Sequence, residues 1–197
     1  MMRFNVSEIN DCIRTRRSIY PAQFSDRKVS KELIEVLLEN ARWAPTHKLT
    51  QPWRFKIFYG EGIERFASFH SEKYRAITPE EKFSEMKFKK LRSNAERSSA
   101  VIAIVLNRDL DKRVPEEEEI ASVAMAVENM HITCSAYGLA AYWGSGGLTR
   151  TPEMHEFLKL EDHQRCMGFF YLGYPQGEWP RKTERMERRK IADWVED

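Results

Sequence analysis

Three short segments carry residue types suited to gripping a ligand rather than filling a core. The first is Arg14-Thr15-Arg16-Arg17-Ser18. Cations at the end of a helix gain about 0.3–1 kcal/mol from its dipole, so the cluster would serve as a solvated cap. The same guanidinium forks could instead hold a phosphate and polarise the carbonyl edge of a heterocycle. The second segment, Ala44 to Trp53, is pinned by Pro45 and Pro52 and presents His47, Lys48 and Gln51 between them. It is either an ordinary helix-to-strand connection or a stiff polar loop aimed at a ligand. The third, Tyr142-Trp143-Gly144-Ser145-Gly146-Gly147, has glycines that let backbone amides approach a flat molecule and that equally permit a tight turn. Together these types suit a planar, hydrogen-bonding ligand that bears a phosphate.

Other chemistries lack their signatures. The chain has no G-x-G-x-x-G, no G-x-x-x-x-G-K-[ST], no G-x-S-x-G and no H-E-x-x-H, which removes support for Rossmann, P-loop, hydrolase-elbow and zincin sites. Its five histidines, His47, His70, His131, His155 and His163, have no ligand-like spacing, so no metal site is expected. The three cysteines, Cys12, Cys134 and Cys166, lie far apart within apolar stretches and without a C-x-x-C. Buried, reduced thiols and a reducing compartment are the expectation.

The elements that must position these segments follow from periodicity and punctuation. Ser7 suits the N-cap of a first helix with Ile9 and Ile13 on one face and the arginine cluster at its end. Ser30 begins a second helix with Leu33, Ile34, Leu37, Leu38 and Ala41 as its stripe, stopped by Pro45. Trp53 to Tyr59 reads as a strand. Glu61 to about Asn94 reads as a charged helical excursion broken near Thr78-Pro79. Ala100 to Leu106 is wholly apolar, as expected of a strand covered on both faces. Glu116 to Glu119 open a long core helix at its positive end. Leu139 to Trp143 forms a short strand, Thr151-Pro152 opens another helix, and Cys166 to Leu172 forms the last strand. A charged tail with Ile191, Trp194 and Val195 then needs another surface to lean on.

At 197 residues and 42% hydrophobic composition, one domain over 1–197 is expected, burying roughly two thirds of its unfolded surface. The 32 Lys+Arg are mixed with 30 Asp+Glu, so no one-sign field should gather nucleic acid or a membrane. Met1 to Val6 has no apolar signal core, and no apolar run approaches the ~18 residues of a membrane span. A soluble, cytoplasmic protein is expected.

Four motifs stand in order along the chain: R-R-S at Arg16 to Ser18, A-P-x-H-K-x-x-Q-P-W at Ala44 to Trp53, W-x-S-G-x-L-T at Trp143 to Thr149, and G-F-x-Y-L-G-x-P-Q at Gly168 to Gln176. In them the chain resembles the nitroreductase family of FMN enzymes, and within it the small single-domain YdjA-like branch. The resemblance implies an α+β fold, a mixed and mostly antiparallel central sheet surrounded by helices. It further implies a homodimer with C-terminal arm exchange and two FMN sites at the subunit interface. By position, Arg16, Arg17 and Ser18 inherit the phosphate and pyrimidine side of FMN. Pro45, Thr46 and His47 reach the flavin of the other subunit, and Trp143, Gly144 and Ser145 lie along the isoalloxazine ring. A basic residue near the C-terminus completes the phosphate site; Arg185 is the first choice and Arg181 the second. Three positions depart from the pattern: Tyr20 where many relatives carry a cation, Leu49 where they carry asparagine, and Gly144 where the YdjA-like branch has arginine.

The implied activity is that of an FMN-dependent NAD(P)H oxidoreductase. Hydride pairs pass from NADH or NADPH to a nitroaromatic, quinone or related acceptor by ping-pong turnover, with the chemistry carried by FMN and no catalytic side chain. Reductive dehalogenation, an oxygen-using reaction, or a non-catalytic FMN-binding sensor or carrier remain open on the same scaffold.

Overall fold

The apolar run that begins at Ala100 lies in the middle of a four-stranded sheet in the computed structural model, which describes residues 4–180 and 183–196. The strands are β1 (Trp53–Tyr59), β2 (Ala100–Asn107), β3 (Ala140–Gly144) and β4 (Gln164–Gly173), in the order β1-β2-β4-β3. Every pairing among the described residues is antiparallel. Where the resemblance implies a mixed, mostly antiparallel sheet, the sheet of the described residues is wholly antiparallel.

Alternation along β2 divides its side chains between two apolar layers. Ala100, Ile102, Ile104 and Leu106 pack with helices α2 (Lys31–Ala41) and α5 (Glu116–Ala136), whereas Val101 and Ala103 face α3 (Glu61–Ile77), α4 (Glu85–Glu96) and α6 (Pro152–Phe157). Successive strand residues point to opposite faces, so an uninterrupted apolar strand requires cover on both.

Local chemistry sets the helix ends. Helix α1 (Val6–Thr15) is capped by Asn5, whose side chain accepts from the amides of Ser7 and Glu8; the cap falls two residues before the expected Ser7 because Asn5 reaches the first-turn donors. Ile9 and Ile13 do share a face, yet both stay exposed, and α1 buries none of its side chains. Ser30 caps α2 as expected, and Ile34, Leu37 and Ala41 are its buried stripe. Thr78, extended ahead of Pro79, ends α3, and Ser84 starts α4 by accepting from the amide of Lys87 at 3.3 Å. Tyr74 ties the two helices together, its hydroxyl accepting from Ser84 N at 3.0 Å and its ring stacking on Phe83.

At the head of α5, Glu119 is almost fully buried, and there it meets Arg108 at 2.9 Å and accepts from Asp109 N at 3.0 Å. Those partners offset the desolvation of its charge. No helix of the described residues is long and apolar enough to cross a membrane.

Candidate functional site

The segment after α1 runs along the outer edge of β3. Ile19 N donates to Ala141 O at 3.0 Å, and the rings of Tyr20 and Tyr142 are in contact. Arg16, Arg17 and Ser18 are thereby held beside the strand that ends in Gly144. Arg16 pairs with Glu128 of α5 at 3.3 Å, with its side chain only one-fifth exposed. Arg17 bends back so that Nη1 donates to the carbonyls of Arg14 and Arg16, at 2.8 and 2.6 Å. Ser18 is exposed.

On the face of the sheet covered by α3 and α4 lies a cavity of about 640 Å³. Tyr142, Gly144, Phe169 and Tyr171 form its sheet side, and Gly146 stands on its rim. Tyr142 and Tyr171 stack at 6.1 Å with planes 20° apart. Burial raises both phenol pKa values, so the wall is neutral as well as aromatic. Opposite, α3 contributes His70 and Tyr74, α4 contributes Lys87, Lys90, Leu91 and Asn94, and the turn between the helices contributes Lys82. The spacing 87, 90, 91, 94 is one helical stripe.

A β-bulge shapes the rim. The register between β2 and β4 shifts at Ile104/Val105, leaving Met167 outside the ladder while Gly168 adopts φ +135°. Met167 O accepts from Trp143 Nε1 at 3.2 Å, and Trp143 packs on the α2–α5 side of the sheet. The indole thus faces away from the cavity that Tyr142 and Gly144 line. Gly144 has little room for a side chain, since a Cβ there would stand 3.1 Å from the Tyr142 ring. Ser145 is exposed.

Within one chain the structure brings Arg16, Arg17 and Ser18 to the strand of Trp143, Gly144 and Ser145. It does not bring Pro45, Thr46 and His47 there. Their loop precedes β1, at the opposite edge of the sheet, where His47 Nδ1 meets Glu118 at 2.5 Å and Lys48 Nζ donates to Arg113 O at 2.9 Å. Arg185 does not line the cavity: it lies in the exposed C-terminal stretch and bonds to Thr183 and to the carbonyl of Glu184, while upstream Trp179 Nε1 donates to Thr15 O at 2.9 Å, next to the R-R-S segment. Arg181 lies outside the described residues. Beneath Arg16, His131 is buried against Phe170, and burial, helped by that guanidinium, lowers its pKa to about 4.

Such a site offers a flat neutral wall, a basic opposite side and a neighbouring pair of guanidinium groups. Planar conjugated and anionic ligands suit it, and among the described residues no paired carboxylates or activated nucleophile line the cavity. Comparison with known proteins gives this geometry its family. Residues 13–174 match the model of the nitroreductase family. The chain belongs to the nitroreductase family.

Among similar nitroreductase-family proteins, YdjA of Escherichia coli (strain K12) is 32% identical over 145 residues, covering 74% of this chain and 77% of its own length. YfhC of Bacillus subtilis (strain 168) is 29% identical over 184 residues, covering 91% of this chain and 90% of its own. Both are provisionally named NAD(P)H nitroreductases. In solved structures, a nitroreductase-like family protein from Bacillus cereus superposes with a TM-score of 0.84 at 28% identity, over 100% of each chain. A nitroreductase-type protein from Desulfovibrio desulfuricans, solved in complex with FMN, superposes with a TM-score of 0.70 at 21% identity, over 98% of this chain and 99% of that one.

Within the 61–94 helical excursion of this nitroreductase-family chain, the sequence singled out as site residues none of His70, Tyr74, Lys87 and Lys90, which form the helical side of the cavity. The lysine stripe at 87 and 90, closed by Leu91 and Asn94, was the available signal. In sequence, however, it resembles any solvated helix face, and only α3 packing against α4 turns it inward.

Proposed function

We propose that this protein is an FMN-dependent oxidoreductase that takes a hydride pair from NADH or NADPH and reduces nitroaromatic, quinone or related organic acceptors. One observation carries the reading. The Ile19–Ala141 hydrogen bond puts the R-R-S segment alongside the strand that walls the aromatic cavity, so a phosphate grip and a flat stacking surface border one another. Family membership and the FMN complex of the Desulfovibrio protein support the cofactor.

The residues present fit such a group. Tyr142 and Tyr171 supply a flat face, and a Cβ at Gly146 would meet no atom within 4 Å, leaving that edge open. Arg16, Arg17 and Ser18 would hold the phosphate and pyrimidine side, and the backbone of Trp143, Gly144 and Ser145 would follow the ring. Bound FMN supplies the two-electron chemistry. The chain's own groups bind and orient; guanidinium charge near the pyrimidine edge favours electron pairs over single electrons. One cavity serves donor and acceptor in turn, which gives ping-pong kinetics, and water supplies the protons.

The single domain over 1–197 acts as a homodimer. Pro45, Thr46 and His47 lie at the far edge of the sheet in their own chain and Arg185 does not line the cavity, and a partner subunit would supply them in trans. Exposed Ile9 and Ile13 on α1, and exposed Trp194 in the C-terminal stretch, support a covered interface. The visible spectrum of purified protein incubated with FMN, followed by NAD(P)H oxidation with 1,4-benzoquinone or nitrobenzene, tests the function. A flavin band that bleaches with NAD(P)H and returns with acceptor is expected. Protein that stays colourless overturns the cofactor, and yellow protein that never turns over is a carrier instead.

A further inference from the structure

Lys82, Lys87 and Lys90 all line the cavity, and among the described residues not one aspartate or glutamate does. This is unexpected in a chain whose 32 Lys+Arg are matched by 30 Asp+Glu. Of the acidic residues near these lysines, Glu85 pairs with Lys89 at 3.7 Å and Glu64 and Glu96 pair with Arg92, while Glu80 and Glu81, next to Lys82, are exposed and stay outside the cavity lining. Among the described residues, none of the three lysines has a carboxylate within 4.0 Å. Lys87 Nζ lies 4.7 Å from the centroid of the Tyr74 ring, which fixes one charge beside an aromatic surface.

Deeper in, His70 is 5% exposed and wedged against Phe66 and Phe169, with ring centroids at 5.1 and 5.3 Å. Its Nδ1 is buried without a hydrogen-bond partner. Burial, with Lys87 adding to it, lowers its pKa to about 4 and keeps the imidazole neutral. The cavity therefore runs from a cationic mouth to a neutral polar and aromatic interior.

We propose that the acceptor reduced in this site is an aromatic anion, whose carboxylate or comparable group is held by Lys82 and Lys87 while its ring enters on the Tyr74 side of the cavity. This deepens the proposed function and rests on it. Three cations at one cavity mouth, with no carboxylate among its described lining residues, draw in an anion in preference to a neutral acceptor. With 4-nitrobenzoate as probe the turnover balances as nitro compound plus NAD(P)H plus one proton giving the nitroso compound, NAD(P)+ and water. Two electrons enter the nitrogen, and one N–O bond breaks.

The test compares kcat/KM for 4-nitrobenzoate with that for 4-nitrobenzyl alcohol, in the FMN-loaded protein and in the Lys82→Gln/Lys87→Gln variant. Intrinsic reactivity cancels when the two ratios are compared. The anion-to-alcohol ratio is expected to fall about tenfold in the variant. In the unsubstituted protein it should also fall on raising salt from 10 mM to 0.5 M, because the lysines are exposed and screened. A ratio that moves less than twofold in both experiments overturns the inference. So does a variant that instead loses FMN, or loses only its use of NADPH relative to NADH, because the charge would then serve the cofactor or the donor's phosphate. Protein that binds no FMN, or turns over neither probe, overturns the proposed function itself and the anionic acceptor with it.

Discussion

The rings of Tyr20 and Tyr142 meet with centroids 4.5 Å apart and planes tilted by 41°, joining the stretch after α1 to the strand that walls the cavity. The family pattern that the motifs resemble has a cation at this position, where this chain places the aromatic Tyr20–Tyr142 contact. Tyr20→Lys should restore positive charge beside the pyrimidine edge and raise the potential of bound FMN by about 30 mV, which for a two-electron couple is about 1.4 kcal/mol. Spectroelectrochemical titration measures it. An unchanged potential would place residue 20 away from the flavin.

Arg17→Ala should weaken FMN binding ten- to hundredfold, which corresponds to roughly 1.5–3 kcal/mol for one charge-assisted hydrogen bond. Quenching of flavin fluorescence in a titration reads this directly. Because Arg17 Nη1 also caps the carbonyls of Arg14 and Arg16, melting of the FMN-free variant separates the structural part of the loss. Equal affinity in variant and parent would remove Arg17 from the site.

Gly168→Ala places a Cβ 2.4 Å from Trp143 Nε1 and 2.6 Å from Gly144 O, at a φ of +135° that L side chains rarely adopt. Strain and overlap together should destabilise the fold by about 2–4 kcal/mol and push Gly144 at the rim out of place. Urea denaturation and FMN titration report the two effects. Stability within about 0.5 kcal/mol of the parent would contradict this close packing.

His70 and His131 are both buried, and each has its pKa lowered to about 4. In the unfolded chain imidazole binds a proton near pH 6.5, so between about pH 6.5 and 4 the unfolded state holds more protons than the folded one. Stability therefore falls as pH drops through that window, by up to about 3 kcal/mol for each histidine, and this contribution levels off below pH 4. Chemical denaturation at pH 7 and pH 4.5 should show the loss. His70→Phe should make the slope shallower, and an unchanged slope would exclude His70 as a contributor.

Deleting residues 183–197 should convert a dimer to a monomer in light scattering and release FMN. Trp194 is 87% exposed in the single chain, and Ile9 and Ile13 on α1 are close to half exposed, as expected of surfaces that need a neighbour. A truncated protein that remains dimeric and yellow would show that the C-terminal stretch is dispensable.

Much of the framework was legible because its causes are local. The caps at Ser30 and Thr151, the break at Thr78-Pro79 and the two-faced apolar strand at Ala100 all follow from a few adjacent residues. At α1 the local pattern is ambiguous, since Asn5 and Ser7 are both competent caps, and the helix uses Asn5, two positions before Ser7. His70, Lys82 and Lys87 were not legible as site residues. Nothing in their own neighbourhoods distinguishes them from a core histidine and two solvated lysines.

The amino-acid sequence alone determined the type and order of the elements and the four motifs of the family, since periodicity, capping and turn chemistry act over a few residues. Tertiary structure alone decided that the R-R-S segment borders β3, that the proline loop lies at the far edge of the sheet, and that the lysines of α4 face a cavity. Those relations rest on strand order and helix packing between residues tens of positions apart, and no local pattern encodes a distance of that kind.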